Sequence, residues 1–326
     1  MIQEKPLVSI IIPTYNRAHL ISETLDSIKE QTYTNWECIV VDDGGTDHTE
    51  NILEAYIKED SRFKFLKKPS HRKKGGNAAR NFGYEKSIGE YINFVDSDDL
   101  IHKEKLQLQL AVLEKNESCQ VCLSEAEIFN ETKRYQKKSK PLDEINFFED
   151  YISKKIDMGT TQPLWRKSFL ESAKTVYDET ILRAQDFDFL SRMSFRKDFS
   201  HCYVKEILVS VRIGNSGRIT DSGFRKDVMV SYLNAYYKTY LLLANDYKDK
   251  QLYKSYTNLF LKRILRCINS KDFETALFFL KKMRKNVFNN DTRYRRHFLK
   301  LILSVSVLKG TGLRGYSLLK KYYYLD

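Results

Sequence analysis

The sequence predicts an α/β fold, a Rossmann-like and mostly parallel sheet, followed by an all-α carboxyl-terminal domain. Three observations carry that expectation. Short apolar, β-branched runs alternate with segments of helical spacing over the first hundred residues. Three of those runs are followed at once by polar and acidic residues. From about residue 226 onward apolar residues recur at helical spacing alone.

Residues 7–12 form a near-continuous apolar run, the mark of a strand covered on both faces. Residues 19–31 then set Leu20, Ile21, Leu25 and Ile28 at helical spacing. Residues 38–41 read as a second strand, and residues 47–57 as a helix entered through Asp47 or Thr49. Residues 63–66 are a short third strand, 77–88 a helix and 91–95 a fourth strand. Strand and helix in alternation are the grammar of a parallel sheet with right-handed crossovers. Beyond residue 100 the pattern loosens, with a helix over 103–115, a strand over 120–124 and a charged, exposed, mobile loop over 131–144. The helical spacing of Tyr253, Tyr256, Phe260, Ile264 and Cys267, and later of Phe298, Ile302 and Val305, sets a domain boundary near residue 225.

The chain has 326 residues, 42% of them hydrophobic and 30% charged, enough apolar residue to build a sizeable core. Fifty-five Lys and Arg against 43 Asp and Glu give a formal charge of +12, which calls for an anionic partner. The excess is local. Residues 225–326 hold 22 bases and 7 acids, a charge of +15, so the preceding residues total −3. Residues 293–326 alone carry eight bases and one acid, interleaved with Phe298, Leu301, Ile302, Val305 and the triplet Tyr322, Tyr323 and Tyr324. That pattern suits an anionic membrane surface, and it suits equally a helical bundle or homodimer interface with a solvated basic face. No apolar stretch approaches the roughly 20 residues of a membrane span. Five cysteines, an odd number, and no signal peptide point to a cytoplasmic protein.

Ligands of parallel sheets bind at the carboxyl ends of the strands. There this chain places Pro13, Thr14, Tyr15 and Asn16, then the run Asp42 to Asp47, then Asp96, Ser97, Asp98 and Asp99. Asp96 and Asp98, two apart, can face one site together, and a hard cation such as Mg²⁺ or Mn²⁺ takes one or two such carboxylates beside substrate phosphates. Asp47 and Asp99 read as cap or turn acids. Cys119 and Cys122 lack a second pair or a nearby His and are expected to be buried or incidental thiols, and Gly75-Gly76 lacks the dinucleotide-binding glycine pattern. His71 lies in a basic loop that reads as a diphosphate contact or as solvated. No nucleic-acid-binding motif appears, which disfavours that class. A catalytically silent nucleotide-sugar-binding or scaffold protein is the other alternative, opposed by the intact acids.

Four segments, SIIIPTYNR at 9–17, IVVDDGGTDHT at 39–49, GGNAARNFG at 75–83 and GEYINFVDSDD at 89–99, occur in the order and spacing of one family. The chain resembles the inverting nucleotide-sugar glycosyltransferases of family 2, which have the GT-A fold. The likeness is close over the first hundred residues, looser to 220 and absent beyond. It implies a catalytic domain over 1–225, with a donor half of about 1–100 and an acceptor half of about 100–225; the helical spacing and charge beyond make 226–326 a basic helical domain. It further implies that Pro13, Thr14 and Tyr15 pack on the nucleotide base and that Asp43 accepts a hydrogen bond from uracil. Arg80 would meet phosphate or sugar oxygens, Asp96 the ribose, and Asp98 a Mn²⁺ or Mg²⁺ ion on the diphosphate. Ala184-Gln185-Asp186 with Arg192 matches the family's base motif, making Asp186 the general base, with Asp188 as competitor. Many members carry a His in the loop that corresponds to residues 211–217; this chain has none there, so protein ligation of the metal would rest on Asp98 alone. The resemblance implies a hexosyl- or N-acetylhexosaminyltransferase that moves sugar from a UDP-sugar to a glycan acceptor, lipid-linked, in capsule or O-antigen synthesis at the inner face of the cell membrane.

Overall fold

The computed structural model describes residues 5–130, 132, 134–136, 145–214, 225–246 and 249–311. Most of the charged loop at 131–144, residues 215–217 of the loop without a His, and Tyr322 to Tyr324 lie outside the described residues. The chain divides into two compact units, residues 1–146 with 156–222, and residues 147–155 with 223–326.

The first unit is one sheet flanked by helices. In chain order it runs β1 (Val8–Thr14), α1 (Ile21–Lys29), β2 (Trp36–Asp42), α2 (Thr49–Glu59), β3 (Phe63–Lys67), α3 (Gly76–Lys86) and β4 (Tyr91–Phe94). There follow β5 (Leu100–Ile101), α4 (Lys105–Lys115), β6 (Val121–Phe129), β7 (Arg134–Gln136), β8 (Leu164–Arg166), α6 (Lys167–Glu171), α7 (Gln185–Ser194) and β9 (His201–Arg212). The strand order is β3-β2-β1-β4-β8-β6-β9-β5, with β7 against β6. The first four strands are mutually parallel, as expected. The second half is mixed: β8 runs antiparallel to both β4 and β6, β6 and β9 are parallel, and β5 is antiparallel to β9.

Register explains why the acids converge. Thr14 pairs with Asp42, and Asp42 with Lys67, so β1, β2 and β3 end level. Ile11 pairs with Phe94, and the Val95 amide donates to the Ile11 carbonyl, so β4 ends at the same edge. The strands are held there by near-complete burial of Ile10, Ile11, Ile12, Ile39, Val40 and Val41. Helix α3 reaches its seat because Gly83 has no side chain; a Cβ there would stand 2.6 Å from Ile11 Cγ2 and 3.1 Å from Val41 Cγ2. Beneath the site Phe94, Tyr177, Phe189 and Trp165 pack ring on ring, with Tyr177 and Phe189 stacked at 4.3 Å.

Several expected bounds shift. The strand expected over 120–124 runs on to Phe129, and α2 starts at Thr49. Asp47 accepts hydrogen bonds from the Thr49 amide and hydroxyl and from the Ala18 amide, so it ties two loops together at the helix entry. Two of the cysteines lie near a third: Cys119 and Cys122 flank Cys202 of β9, and Cys122 and Cys202 are register partners.

The second unit contains α5 (Phe147–Ile152), α8 (Lys226–Asn245), α9 (Lys250–Asn269), α10 (Phe273–Lys285) and α11 (Thr292–Thr311). Asp249 caps α9 by accepting from the amides of Gln251 and Leu252, and Asp272 caps α10 through Thr275. Its core is aromatic, with Tyr237, Tyr240, Tyr253, Phe260 and Phe279 buried together and the Tyr240 and Tyr253 hydroxyls 2.8 Å apart. No described helix is long and apolar enough to cross a membrane.

Candidate active site

The carboxyl edge of the sheet is assembled by short side-chain-to-backbone bonds. Asn16, in a left-handed conformation with φ 53°, accepts from the amides of Thr46 (2.7 Å) and Asp47 (3.3 Å), fastening the β2–α2 loop to the β1–α1 loop. Asp42 accepts from the amides of Gly44 and Gly45. Asp43 turns the other way: the Gly75 amide donates to its Oδ2 at 2.6 Å, and Lys68 Nζ lies 3.1 Å from Oδ1. Oδ1 is buried and, despite that ion pair, accepts no well-aligned hydrogen bond. Thr14 is buried beside Tyr15, which is 55% exposed.

Arg80 on α3 is the centre of the arrangement. Its Nη2 donates to Asp96 Oδ1 at 2.6 Å and its Nη1 to Gln185 Oε1 at 2.9 Å, while the guanidinium lies 5.3 Å from the Tyr177 ring centre. Burial works against its charge, but Asp96 and then Tyr177 and Asp186 outweigh burial and raise its pKa. The space for this bridge is left by Gly76, where a Cβ would stand 3.0 Å from Arg80 Nη1 and 3.3 Å from Gln185 Oε1. One guanidinium therefore joins the loop after β4 to the first turn of α7.

A pair of adjacent threonines makes a second link. The Thr160 hydroxyl donates to Asp186 Oδ1. The Thr161 hydroxyl accepts from the Asp96 amide (3.2 Å) and donates to Asp99 Oδ2 (2.7 Å), whose Oδ1 accepts from the Arg212 amide. Asp99 is fully buried, and burial, followed by repulsion from Asp96 and Asp98, raises its pKa well above the carboxylate range. Arg212 also holds the Asp98 carbonyl through Nε and pairs with Glu23 at 2.6 Å.

Of the sequence-predicted residues, Arg80 and Asp96 are in direct contact, and Asp186 stands one residue from Arg80's partner Gln185. Asp43 abuts the entrance to α3, Pro13 to Tyr15 occupy the neighbouring strand end, and the Asp98 side chain is partly exposed on the Asp96 loop. Asp188 is buried and ion-paired with Arg192 at 2.9 Å, on a different face of α7. Sequence reasoning passed over Lys68, Gln185 as a partner, and Thr160 and Thr161. Lys68 follows β3 and answers to the same strand-end rule; the threonines precede β8, a three-residue strand with no signal of its own. Among the described residues no three His, Cys, Asp or Glu side chains are grouped to hold a metal by themselves.

A sheet of this order, with acids gathered on its carboxyl edge and mixed strands beyond β4, has the GT-A fold. The model of the family described as glycosyl transferase family 2 matches residues 9–172, half of the chain, and the chain belongs to that family. The crystal structure of Staphylococcus aureus TarS 1–349 in complex with UDP-GlcNAc shares the fold at a TM-score of 0.73, with 18% identity over 97% of this chain and 92% of that one. An uncharacterised glycosyltransferase of Rickettsia conorii is 43% identical over 109 residues, 33% of this chain and 17% of its own length. The UDP-Glc:alpha-D-GlcNAc-diphosphoundecaprenol beta-1,3-glucosyltransferase WfgD of Escherichia coli is 42% identical over 111 residues, 34% of this chain and 42% of its own. The chain thus spans less than half the length of either of these relatives.

Proposed function

We propose that the chain moves one sugar from a UDP-sugar to a hydroxyl of a glycan acceptor, with inversion at the anomeric carbon, in the assembly of a surface polysaccharide such as capsule or O-antigen. The observation that carries this reading is the Arg80 bridge, which ties the acidic loop after β4 to the helix that begins Gln185-Asp186. Pro13, Thr14 and Tyr15 would pack on the base. Asp43, held at the end of β2 by the Gly75 amide and Lys68, would accept the N–H of uracil. Asp96 keeps one oxygen outside the Arg80 bond for the ribose. The Asp186 carboxylate, steadied by Thr160, takes the proton of the acceptor hydroxyl as that oxygen bonds to the anomeric carbon and the bond from that carbon to UDP breaks. The WfgD name specifies a UDP-sugar donor and a diphosphoundecaprenol-linked acceptor, and TarS was solved with UDP-GlcNAc; both support a UDP-sugar donor, and the former a lipid-linked acceptor.

The donor set fits a hard divalent cation. Asp96 and Asp98 set two carboxylates, both partly exposed, on one short loop at the strand end, a hard-oxygen donor pair. Asp98 would hold Mn²⁺ or Mg²⁺ together with the substrate diphosphate, since such ions need only one or two carboxylates when phosphates complete the shell. When bound, the ion supplies charge neutralisation to the departing diphosphate.

A panel of UDP-sugars assayed with Mn²⁺ for donor hydrolysis and sugar transfer tests the reading. Asp186→Asn should lose transfer by about 100-fold or more while UDP still raises the melting temperature. Undiminished transfer in that variant, or no hydrolysis of any donor by the wild-type chain, would sink it.

A further inference from the structure

The helical unit carries an exposed surface unrelated to the site above. On α11, Arg295, Leu299, Leu303 and Val307 are four residues apart, so they form one stripe about 18 Å long. Leu299 is 37% exposed, Leu303 58% and Val307 61%, while Tyr294, Phe298, Leu301 and Val305 of the same helix are buried. On α10, Phe278 is 48% exposed and shares a face with Lys281 and Lys285. Where the two helices meet, Lys281, Arg284, Lys285 and Arg295 line a cleft of about 330 Å³ with no acid among its lining residues. Among the described residues Lys281, Arg284 and Lys285 form no ion pair, and Arg295 donates to Asn290 Oδ1 at 2.7 Å.

Cations at the carboxyl end of α10 are explained by its dipole. Arg293, Arg295 and Arg296 in the first turns of α11 are not, because a helix amino terminus disfavours positive charge. Among the described residues only Arg293 pairs with an acid, Asp291 at 3.2 Å. The cleft therefore combines like charges that an external anion would satisfy, one helical turn from an apolar stripe.

We propose that the α10–α11 face docks on an anionic phospholipid bilayer, with lipid phosphates in the four-cation cleft and Phe278, Leu299 and Leu303 in the headgroup–acyl boundary. The charge of this face favours this occupant over two others. A two-fold pairing of copies through the same face would bring two basic clusters together. Residues 312–326 carry Arg314, Lys320 and Lys321 against Asp326, so that segment is of the wrong sign to cover the cleft. The proposal does not depend on the sugar-transfer reading.

The test is co-sedimentation of the full chain with vesicles of phosphatidylcholine alone and of phosphatidylcholine containing phosphatidylglycerol, at low and high salt. Binding should require phosphatidylglycerol and weaken with salt. Lys281→Gln with Lys285→Gln should weaken it by roughly 5-fold per charge. Leu299→Asp with Leu303→Asp, both at exposed positions, should weaken it at least tenfold with an unchanged melting temperature; should that pair unfold the chain, Leu303→Ser alone serves. Equal binding to both vesicles, or binding indifferent to both sets of variants, overturns the proposal. So does a variant that turns a dimer into a monomer in sedimentation velocity yet leaves vesicle binding intact, which would make this face a contact between copies.

Discussion

Lys105 offers a prediction whose sign and size both follow from its surroundings. It opens α4, is fully buried, and donates to Asn93 Oδ1 at 3.1 Å and Gln109 Oε1 at 2.7 Å, both neutral amides. A neutral amine has two N–H donors, and two acceptors meet them. Burial brings its pKa from 10.5 down to about 7. Between those values the unfolded chain holds a proton that the folded chain lacks, so this residue makes stability rise with pH by roughly 1 kcal/mol per unit. Below the folded value both states are protonated and the slope vanishes. Lys105→Met retains the length, removes the charge, and should flatten this contribution. Urea unfolding of wild type and variant at pH 7, 8, 9 and 10 gives the difference in stability, in which other titrating groups cancel. The difference should shift in favour of the wild type by about 1 kcal/mol at each step. Parallel pH profiles would mean that the folded chain keeps Lys105 charged, and the reasoning would fail.

Two further substitutions probe the site and its support. Gly76→Ala should push Arg80 Nη1 off Gln185, because the added Cβ stands 3.0 Å and 3.3 Å from the bonded pair. Transfer should fall about tenfold, the scale of one charged hydrogen bond, with a melting temperature near the wild-type one; an unaltered rate would show that the bridge is dispensable. Gly83→Ala should destabilise the first unit by about 1–3 kcal/mol, since its Cβ would overlap Ile11 Cγ2 in a filled core, even though alanine is the better helix former. An unchanged urea midpoint would refute that packing.

What could be read from the sequence was what local chemistry writes locally. β1 and β2 are buried on both faces, so their side chains are apolar without interruption, and the residues after them mark the edge where polar groups gather. Asp96 and Asp98 are candidates by position and Asp186 by its motif, and the structure joins Asp96 and Asp186's neighbour Gln185 through Arg80. β9 was not legible, because its burial runs in blocks rather than alternating, and its pairing with β6 shifts register near Ser124 and Glu125, so no clean two-residue period is left. Lys105 sits in a helix among other lysines, and nothing nearby marks it as buried. Thr160 and Thr161 acquire meaning only when β8 brings them beside residues 26 and 65 positions away in the chain. The partition of α5 with the carboxyl-terminal helices was equally invisible, since grouping across some seventy residues leaves no local trace.

Arg80 is a single point of failure with three clients. Asp96 and Gln185 each rely on it for a hydrogen bond, and Gly76 is obliged to stay small to admit it. A lysine could reach one acceptor but not span both, because only the planar guanidinium offers two arms at a fixed spread. These four positions should therefore change together or not at all as relatives diverge. Variation in which sugar is handled must then be sought around them, in side chains that owe nothing to this bridge.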